Sequence, residues 1–538
     1  MKYGFIIDNR KCIGCHACTT ACKSEHEVPV GVNRTWVKQV EKGTFPDSRR
    51  LFSVMRCNHC ADAPCVSICP TEALYTRDDG IVDFDNDRCI ACKSCMQACP
   101  YDALYIDPET HTAAKCNYCA HRVDVGLEPA CVNVCPEHAI ISGDMDDPET
   151  EISQLLARQQ VKTRKPEKGT KPQLYYIDAD DVSLIPSETE RSTTSFWGSQ
   201  SLGVGHFAKE AEKMSYSNED VIAAVEQMDP TFEKQKEEKP PKSIDVLMNK
   251  AKQTYNTPDK GILWGWEVSG YVWTKAISAG TFLITLLGWS LGWIDMMHPL
   301  FWWTIGTGLV FLALTGILLI KDLDQPKRFA YVLLRPHWES WLVKGGYAIT
   351  VFGGLLTLMA AAKFFEWSLI FKIGMYVTGA SALLVAIYTA FLFAQAKGRD
   401  FWQSPSMSIH MLVHSLMAGS AVLLFYQFLV DNGTQWQNYL VTALIIGILI
   451  NLFTLVIELG TTHPTKDAKT VVEMILKGRY KNLFWGIVLF LGNIAPLALL
   501  IFAGSQLPVA MVAGLLVLIG VYYNNHIWVE APQRISLV

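Results

Sequence analysis

No cysteine occurs beyond Cys135 in this 538-residue chain, and no long apolar run occurs before Trp264. The two absences divide the sequence into a part made for water and a part made for lipid, although the averages (50% hydrophobic, 18% charged) would suit one large soluble enzyme. Charge of either sign is scarce: the net value is -5, and no basic arm or stripe interleaved with aromatics is present, which argues against a nucleic-acid partner. The first residues, MKYGFIIDNRKCIGC, lack an apolar core and a twin-arginine leader, so no export is expected. Arg49-Arg50 lies too deep to act as such a leader and reads as a solvated loop.

All sixteen Cys fall between Cys12 and Cys135, a density that means either a secreted disulfide scaffold or thiolates binding metal. Without an export signal, metal is the expectation. The Cys form four groups of four: Cys12, Cys15, Cys18 and Cys22; Cys57, Cys60, Cys65 and Cys69; Cys89, Cys92, Cys95 and Cys99; and Cys116, Cys119, Cys131 and Cys135. The first and third have the spacing C-x-x-C-x-x-C-x-x-x-C. Pro70, Pro100 and Pro136 follow the last Cys of the second, third and fourth groups, while Lys23 follows Cys22. A compact loop of this spacing wraps three thiolates around one cubane, and the fourth, just inside a helix, points at a neighbouring cubane. At four ligands each, the sixteen Cys give four [4Fe-4S] clusters. The rival is zinc, which usually takes two separated C-x-x-C pairs rather than three closely spaced Cys plus Cys-Pro.

GIVDFDNDRC and ALYIDPETHTAAKC read as hairpin strands feeding the cluster loops, so the fold expected for residues 1–143 is α+β and ferredoxin-like. His59, Tyr118 and His121 are given no role beyond packing. The order of the groups, with the second written CNHCADAPCVSICP and the fourth CNYCAHRVDVGLEPACVNVCP, resembles the electron-transfer subunits of the molybdopterin oxidoreductase family, the partners of dimethyl sulfoxide and polysulfide reductases. That resemblance implies a pairing of groups. Cys12, Cys15, Cys18 and Cys135 would hold one cluster, and Cys22, Cys116, Cys119 and Cys131 the next. Cys57, Cys60, Cys65 and Cys99 would hold a third, and Cys69, Cys89, Cys92 and Cys95 the fourth.

Residues 144–260 form a polar connector with KTRKPEKGTKPQ, SETERSTTS and EKQKEEKPPK, too poor in apolar residues to bury much surface. Within it PQLYYID reads as one last strand and SNEDVIAAVEQM as a short helix. Its role is open between a docking arm and a passive tether.

Residues 261–538 contain eight apolar stretches long enough to span a bilayer, near 268–292, 300–320, 341–362, 370–394, 408–430, 439–459, 482–503 and 507–529. Trp and Tyr crowd their ends, as interfacial belts require. Loops after the second, fourth and sixth spans carry eleven Lys and Arg (Lys321 through Lys481), against Lys363 and Lys372 on the other side. The positive-inside rule then places the cluster domain in the cytoplasm, on a bacterial or archaeal cytoplasmic membrane.

The segment KDLDQPKRFAYVLLRP, together with AISAGTF and IELGTTHPTKDAKTVVEMILKGRYKNLFW, resembles the NrfD/polysulfide reductase membrane-anchor family. The resemblance implies exchange of electrons with quinone, menaquinone by preference, without haem. Within the spans, Lys275, His410, His414, Glu458 and His526 are the candidate quinone and proton site, because buried ionisable groups in lipid mark function and imidazole and carboxylate supply hydrogen bonds and a proton route. Haem would need paired ligands in both leaflets, whereas His410, His414, His463 and His526 gather toward one end.

The expectation is therefore a multidomain electron-transfer chain whose catalytic partner, implied by family to be a molybdopterin enzyme, is a separate subunit. Two rivals stand beside it. One is a redox-driven proton pump using Asp295, His298, Glu366 and Asp431 on the opposite side; the other is an anchor without its own quinone site.

Overall fold

The computed structural model describes residues 1–43, 46–191, 251–295, 298–430, 433–502 and 506–538, which fall into two compact units. The first comprises Met1–Val66, Glu72–Leu263 and Ser536–Val538; the second comprises Ser67–Thr71 and Trp264–Ile535. The expected helix at SNEDVIAAVEQM and the residue Asp431 lie outside the described residues.

The first unit is built on two four-stranded sheets. In one, β1 (Tyr3–Asp8) lies between β8 (Ile140–Asp144), antiparallel, and β10 (Leu174–Ile177), parallel, with β9 (Val161–Lys162) outside β10. Because successive side chains of a strand face opposite ways, YGFIID divides its apolar residues between two cores. Ile6 packs with Ile141, Ile152 and Ile177 on one face, and Phe5 and Ile7 pack with Trp36, Ile140 and Tyr176 on the other. The strand expected at PQLYYID is thus β10, paired to the first strand of the chain.

In the second sheet β2 (Thr35–Lys42) joins β3 (Arg49–Arg56) along an eight-residue antiparallel register, and β12 (Ala251–Tyr255) covers its other edge, with β11 (Glu190–Arg191) outermost. Part of the polar segment 144–260 is therefore built into this unit. Main-chain hydrogen bonds hold an edge strand without the apolar content that a core needs. Arg49-Arg50 is not a loop: it opens strand β3, exposed, with Arg50 3.3 Å from Glu41 across the ladder. Two small hairpins, β4 (Leu74–Thr76) with β5 (Val82–Phe84) and β6 (Leu104–Ile106) with β7 (Ala113–Lys115), sit where the sequence pattern put them. Short helices start inside the cysteine groups: α1 (Ala17–Glu25), α2 (Pro64–Ser67), α3 (Ser94–Ala98), α4 (Ala120–Val123) and α5 (Ala130–Asn133). The α+β ferredoxin-like reading holds.

The second unit has eight helices long and apolar enough to cross a membrane. They are α6 (Trp266–Ser290), α7 (Leu300–Lys321), α8 (Trp341–Phe364), α9 (Ser368–Gln395), α10 (Met407–Leu429), α11 (Thr434–Gly460), α12 (Leu483–Phe502) and α13 (Leu507–Glu530). All eight expected spans are present. Lys363 and Lys372, read as loop residues, instead lie within α8 and α9, and Lys363 is buried with its ammonium over the Phe301 and Phe371 rings. The long alkyl stem lets an ammonium reach a helix end while the backbone stays helical.

Helices α6 and α10 are the most buried of the eight. They cross at Gly280 and Gly419, where a methyl group on either would collide with the facing backbone, of Ser415 for Gly280 and of Gly280 itself for Gly419. Small residues at a crossing let two backbones touch, which is how helices associate where lipid offers no hydrophobic drive. The contact fixes α10, and with it His410 and His414. Helix α12 begins with twelve residues of π-helix, Leu483–Ile494, a rare geometry that recurs at functional sites.

Candidate functional sites

None of the sixteen Cys forms a disulfide, and twelve of them are buried, with Cys12, Cys92 and Cys135 half-buried and Cys15 exposed. Their loops are held in unusual backbone: His16, Lys93 and Cys119, which precede α1, α3 and α4, take φ of 60°, 61° and 51°. Left-handed conformations at non-glycine residues carry strain and cluster at functional sites.

The residues meet in sets. Cys12, Cys15, Cys18 and Cys135 line one recess. Cys22 lies within electrostatic reach of Cys116, Cys119 and Cys131, and Cys60 within reach of Cys57, Cys65 and Cys99. Burial pushes the Cys18 and Cys119 thiols up to about 12, and neighbouring Cys push the same way. A gathering of buried thiols that resist ionisation suits a positively charged centre that deprotonates them outright. Among the described residues no three His, Cys, Asp or Glu are placed to hold a single metal ion. A cubane spreads its four thiolates around a body larger than a single ion, and the sets of four Cys fit such clusters.

Arg56, which sequence reasoning passed over, is fully buried beside these thiols. Its Nη1 donates to Cys131 Sγ at 3.2 Å and its guanidinium lies 4.4 Å from the Phe5 ring centre. A basic residue precedes the first Cys of every group (Lys11, Arg56, Arg88, Lys115), the signal that could have singled it out.

In the helical unit three of the five expected residues come together. His410 Nδ1 lies 2.9 Å from Glu458 Oε2, both buried, and the His410 and His414 rings are 4.2 Å apart. Ser406 Oγ donates to Glu458 Oε1 at 2.7 Å and Trp528 Nε1 to Oε2 at 3.2 Å. Ser406 and Trp528 both donate to the carboxylate; an ionised Glu458 can only accept, and a neutral His410 beside it would then carry its proton on Nδ1. Its other nitrogen, Nε2, is buried with no protein partner among the described residues.

His414 sits in a cage of amides. Nδ1 is 3.0 Å from Asn525 Oδ1, and Nε2 is 3.1 Å from Asn451 Oδ1 and 3.2 Å from Asn524 Nδ2. Asn451 Nδ2 donates to Asn493 Oδ1, and Asn493 Nδ2 to the Val488 carbonyl within the π-helical stretch. These asparagines were not singled out; Asn524-Asn525 inside an apolar span was the available sign.

The other two stand apart. Lys275 Nζ donates to Thr389 Oγ1 at 2.6 Å and to the Ala386 carbonyl, over the Tyr388 ring. His526 Nε2 lies 2.9 Å from Glu530 and its Nδ1 3.4 Å from Ser269 Oγ. Asp295 and Glu366 are exposed and His298 is half-buried, each near a helix end.

A cysteine-rich unit of this kind, joined in one polypeptide to a helical bundle with a buried acid–base pair, defines a class: an iron–sulfur electron-transfer protein carried on a membrane subunit. The protein belongs to the polysulphide reductase NrfD family, whose pattern it matches over residues 255–535, and its N-terminal part matches 4Fe-4S dicluster domains over residues 11–74 and 49–145. It is 44% identical to a tetrathionate reductase subunit of Salmonella typhimurium over 189 residues, 34% of this chain and 76% of that one. Against one of the polysulfide reductase chains of Wolinella succinogenes it is 45% identical over 181 residues, 33% of this chain and 94% of the relative. Protein NrfC of Escherichia coli gives 44% over 181 residues, 33% and 81% of the two sequences. The protein is thus an iron–sulfur electron-transfer subunit fused to an NrfD-type membrane subunit.

Proposed function

We propose that the chain passes electrons between quinone in the membrane bundle and a separate molybdopterin-containing catalytic subunit, through four [4Fe-4S] clusters held by the sixteen Cys, the first group paired with the fourth and the second with the third. Bound clusters would supply one-electron storage. The residues would supply the rest: Cys thiolates hold the clusters, and the bundle handles the protons that accompany a two-electron quinone.

The observation that carries the quinone reading is His410 Nε2, a buried nitrogen with no protein partner among the described residues, on a ring whose other nitrogen faces Glu458. With its proton on Nδ1, the neutral ring accepts from a quinol hydroxyl. On taking that proton, it donates to the resulting oxygen while Glu458 stabilises the imidazolium. His414, caged by amides, holds the neighbouring ring in place. The eleven positive charges counted after the second, fourth and sixth spans support a cytoplasmic side for the cluster domain.

The test uses the purified full-length complex. Quinol should reduce its clusters in the wild type, and His410→Gln and Glu458→Gln should slow that step while dithionite still reduces every cluster. Unchanged quinol rates in both variants would overturn the site.

A further inference from the structure

A cation fully buried among the thiols has no assigned task. Arg56 ends strand β3 immediately before Cys57, yet its side chain turns away from that Cys toward the first and fourth groups. Nη1 donates to Cys131 Sγ, and Cys18, Cys22, Cys116 and Cys119 are within electrostatic reach. Among the described residues no carboxylate contacts it, and Nε and Nη2 are buried without a protein acceptor. A buried guanidinium with two idle donors is costly unless something anionic meets them. Lys115, the matching residue before Cys116, is equally buried but has carbonyl acceptors, those of Val82 and Cys116. Arg56 is the one of the pair whose charge and donors remain for the cluster sites.

We infer that Arg56 sets the reduction potentials of the two clusters shared by the first and fourth Cys groups, its charge and its free Nε and Nη2 donors raising the potential of the one that includes Cys131. The inference rests on the cluster reading above. Reduction adds one electron to a cluster; a fixed cation nearby and N–H donors to its sulfurs stabilise the reduced form, so they raise the potential. The phenyl face of Phe5 holds the guanidinium in place. Arg56 acts here as a positioning and tuning residue and does not ligate iron.

The experiment is a redox titration of the full-length complex, followed by electron paramagnetic resonance with iron analysis, for the wild type, Arg56→Gln and Arg56→Lys. In Arg56→Gln one signal should show at least a tenfold fall in its reduced-to-oxidised ratio at fixed potential, equal to about 59 mV or more for a one-electron couple. Arg56→Lys should recover most of that shift, and the signals of the second and third groups should stay where they are. Unchanged midpoints in Arg56→Gln with full iron content would overturn the inference. Should Arg56→Gln lose iron, Arg56→Lys decides: retention of the cluster supports a charge role, and loss in both makes Arg56 a packing residue and overturns the proposal. A wild type without iron would instead sink the cluster reading itself.

Discussion

The two units solve one problem, burying charge, in opposite ways. In the cysteine-rich unit the chemistry is carried by loops: short strands and helices of four to nine residues punctuated by left-handed turns, with ligands fixed by their spacing along the sequence. In the helical unit it is carried by long rigid elements, and the partners of one site come from α10, α11, α12 and α13, far apart in sequence. Local spacing is robust to changes elsewhere. A convergent site depends on how every helix around it packs, and the two should therefore fail differently.

The sharpest contrast is the loss of a ligand. Cys135→Ser should remove one cluster, about a quarter of the iron under the four-cluster reading, since each cubane needs its thiolates. The signal lost should be the one lost in Cys15→Ser, because those residues line one recess. Bleaching of two different signals would break the pairing. Next in size is the acid–base pair: His410→Gln or Glu458→Gln should cost about 10²–10⁴ in quinol turnover, the usual worth of a positioned proton-transfer group, with iron content unchanged. Simultaneous loss of iron would mean that the two units do not fail independently.

Legibility followed the same divide. The four Cys groups and the hairpins between them were readable because metal ligation and β-turns are local. The eight spans were readable because lipid demands length and apolarity. His410, His414 and Glu458 were found as ionisable groups in lipid, but the same criterion also admitted Lys275 and His526, which the fold holds elsewhere. Which buried polar residues meet depends on helix rotation, and apolar runs with no sharp stripe do not encode it. Asparagine carries no charge to draw attention, so the amide cage around His414 stayed hidden. Arg56 stayed hidden because a basic residue before a Cys reads as solvent-exposed until the strand register turns it inward.

Packing gives the intermediate effect. Gly280→Val should force α6 and α10 apart where their backbones touch, at about 1–3 kcal/mol, the typical cost of overpacking. Thermal unfolding in detergent would measure it, and quinol turnover should fall with it since α10 carries both histidines. Normal stability with normal turnover would mean that the crossing does not hold the site.

The smallest effect separates two acid–base contacts of similar length. Lys42 Nζ lies 2.7 Å from Asp180, each side chain about 30% exposed, whereas His410 and Glu458 meet at 2.9 Å with 1% and 3% exposed. Burial alone would raise the Asp180 carboxyl, but the Lys42 ammonium and the Val182 N–H outweigh it and hold the group below its ordinary range. Stability from a lowered carboxyl is fully present above the unfolded value, about 3.9, and is lost as pH falls through the folded value. Lys42→Met should therefore cost about 0.2–1 kcal/mol near neutral pH in dilute buffer, read as urea-induced loss of visible cluster absorbance. The difference should vanish in strong acid and in salt near 1 M, where the screening length is about 3 Å. Salt should leave the His410→Gln defect untouched, because mobile ions do not enter a bundle interior. Equal salt sensitivity of the two pairs would show that water reaches His410, and the contrast between the units would lose its physical basis.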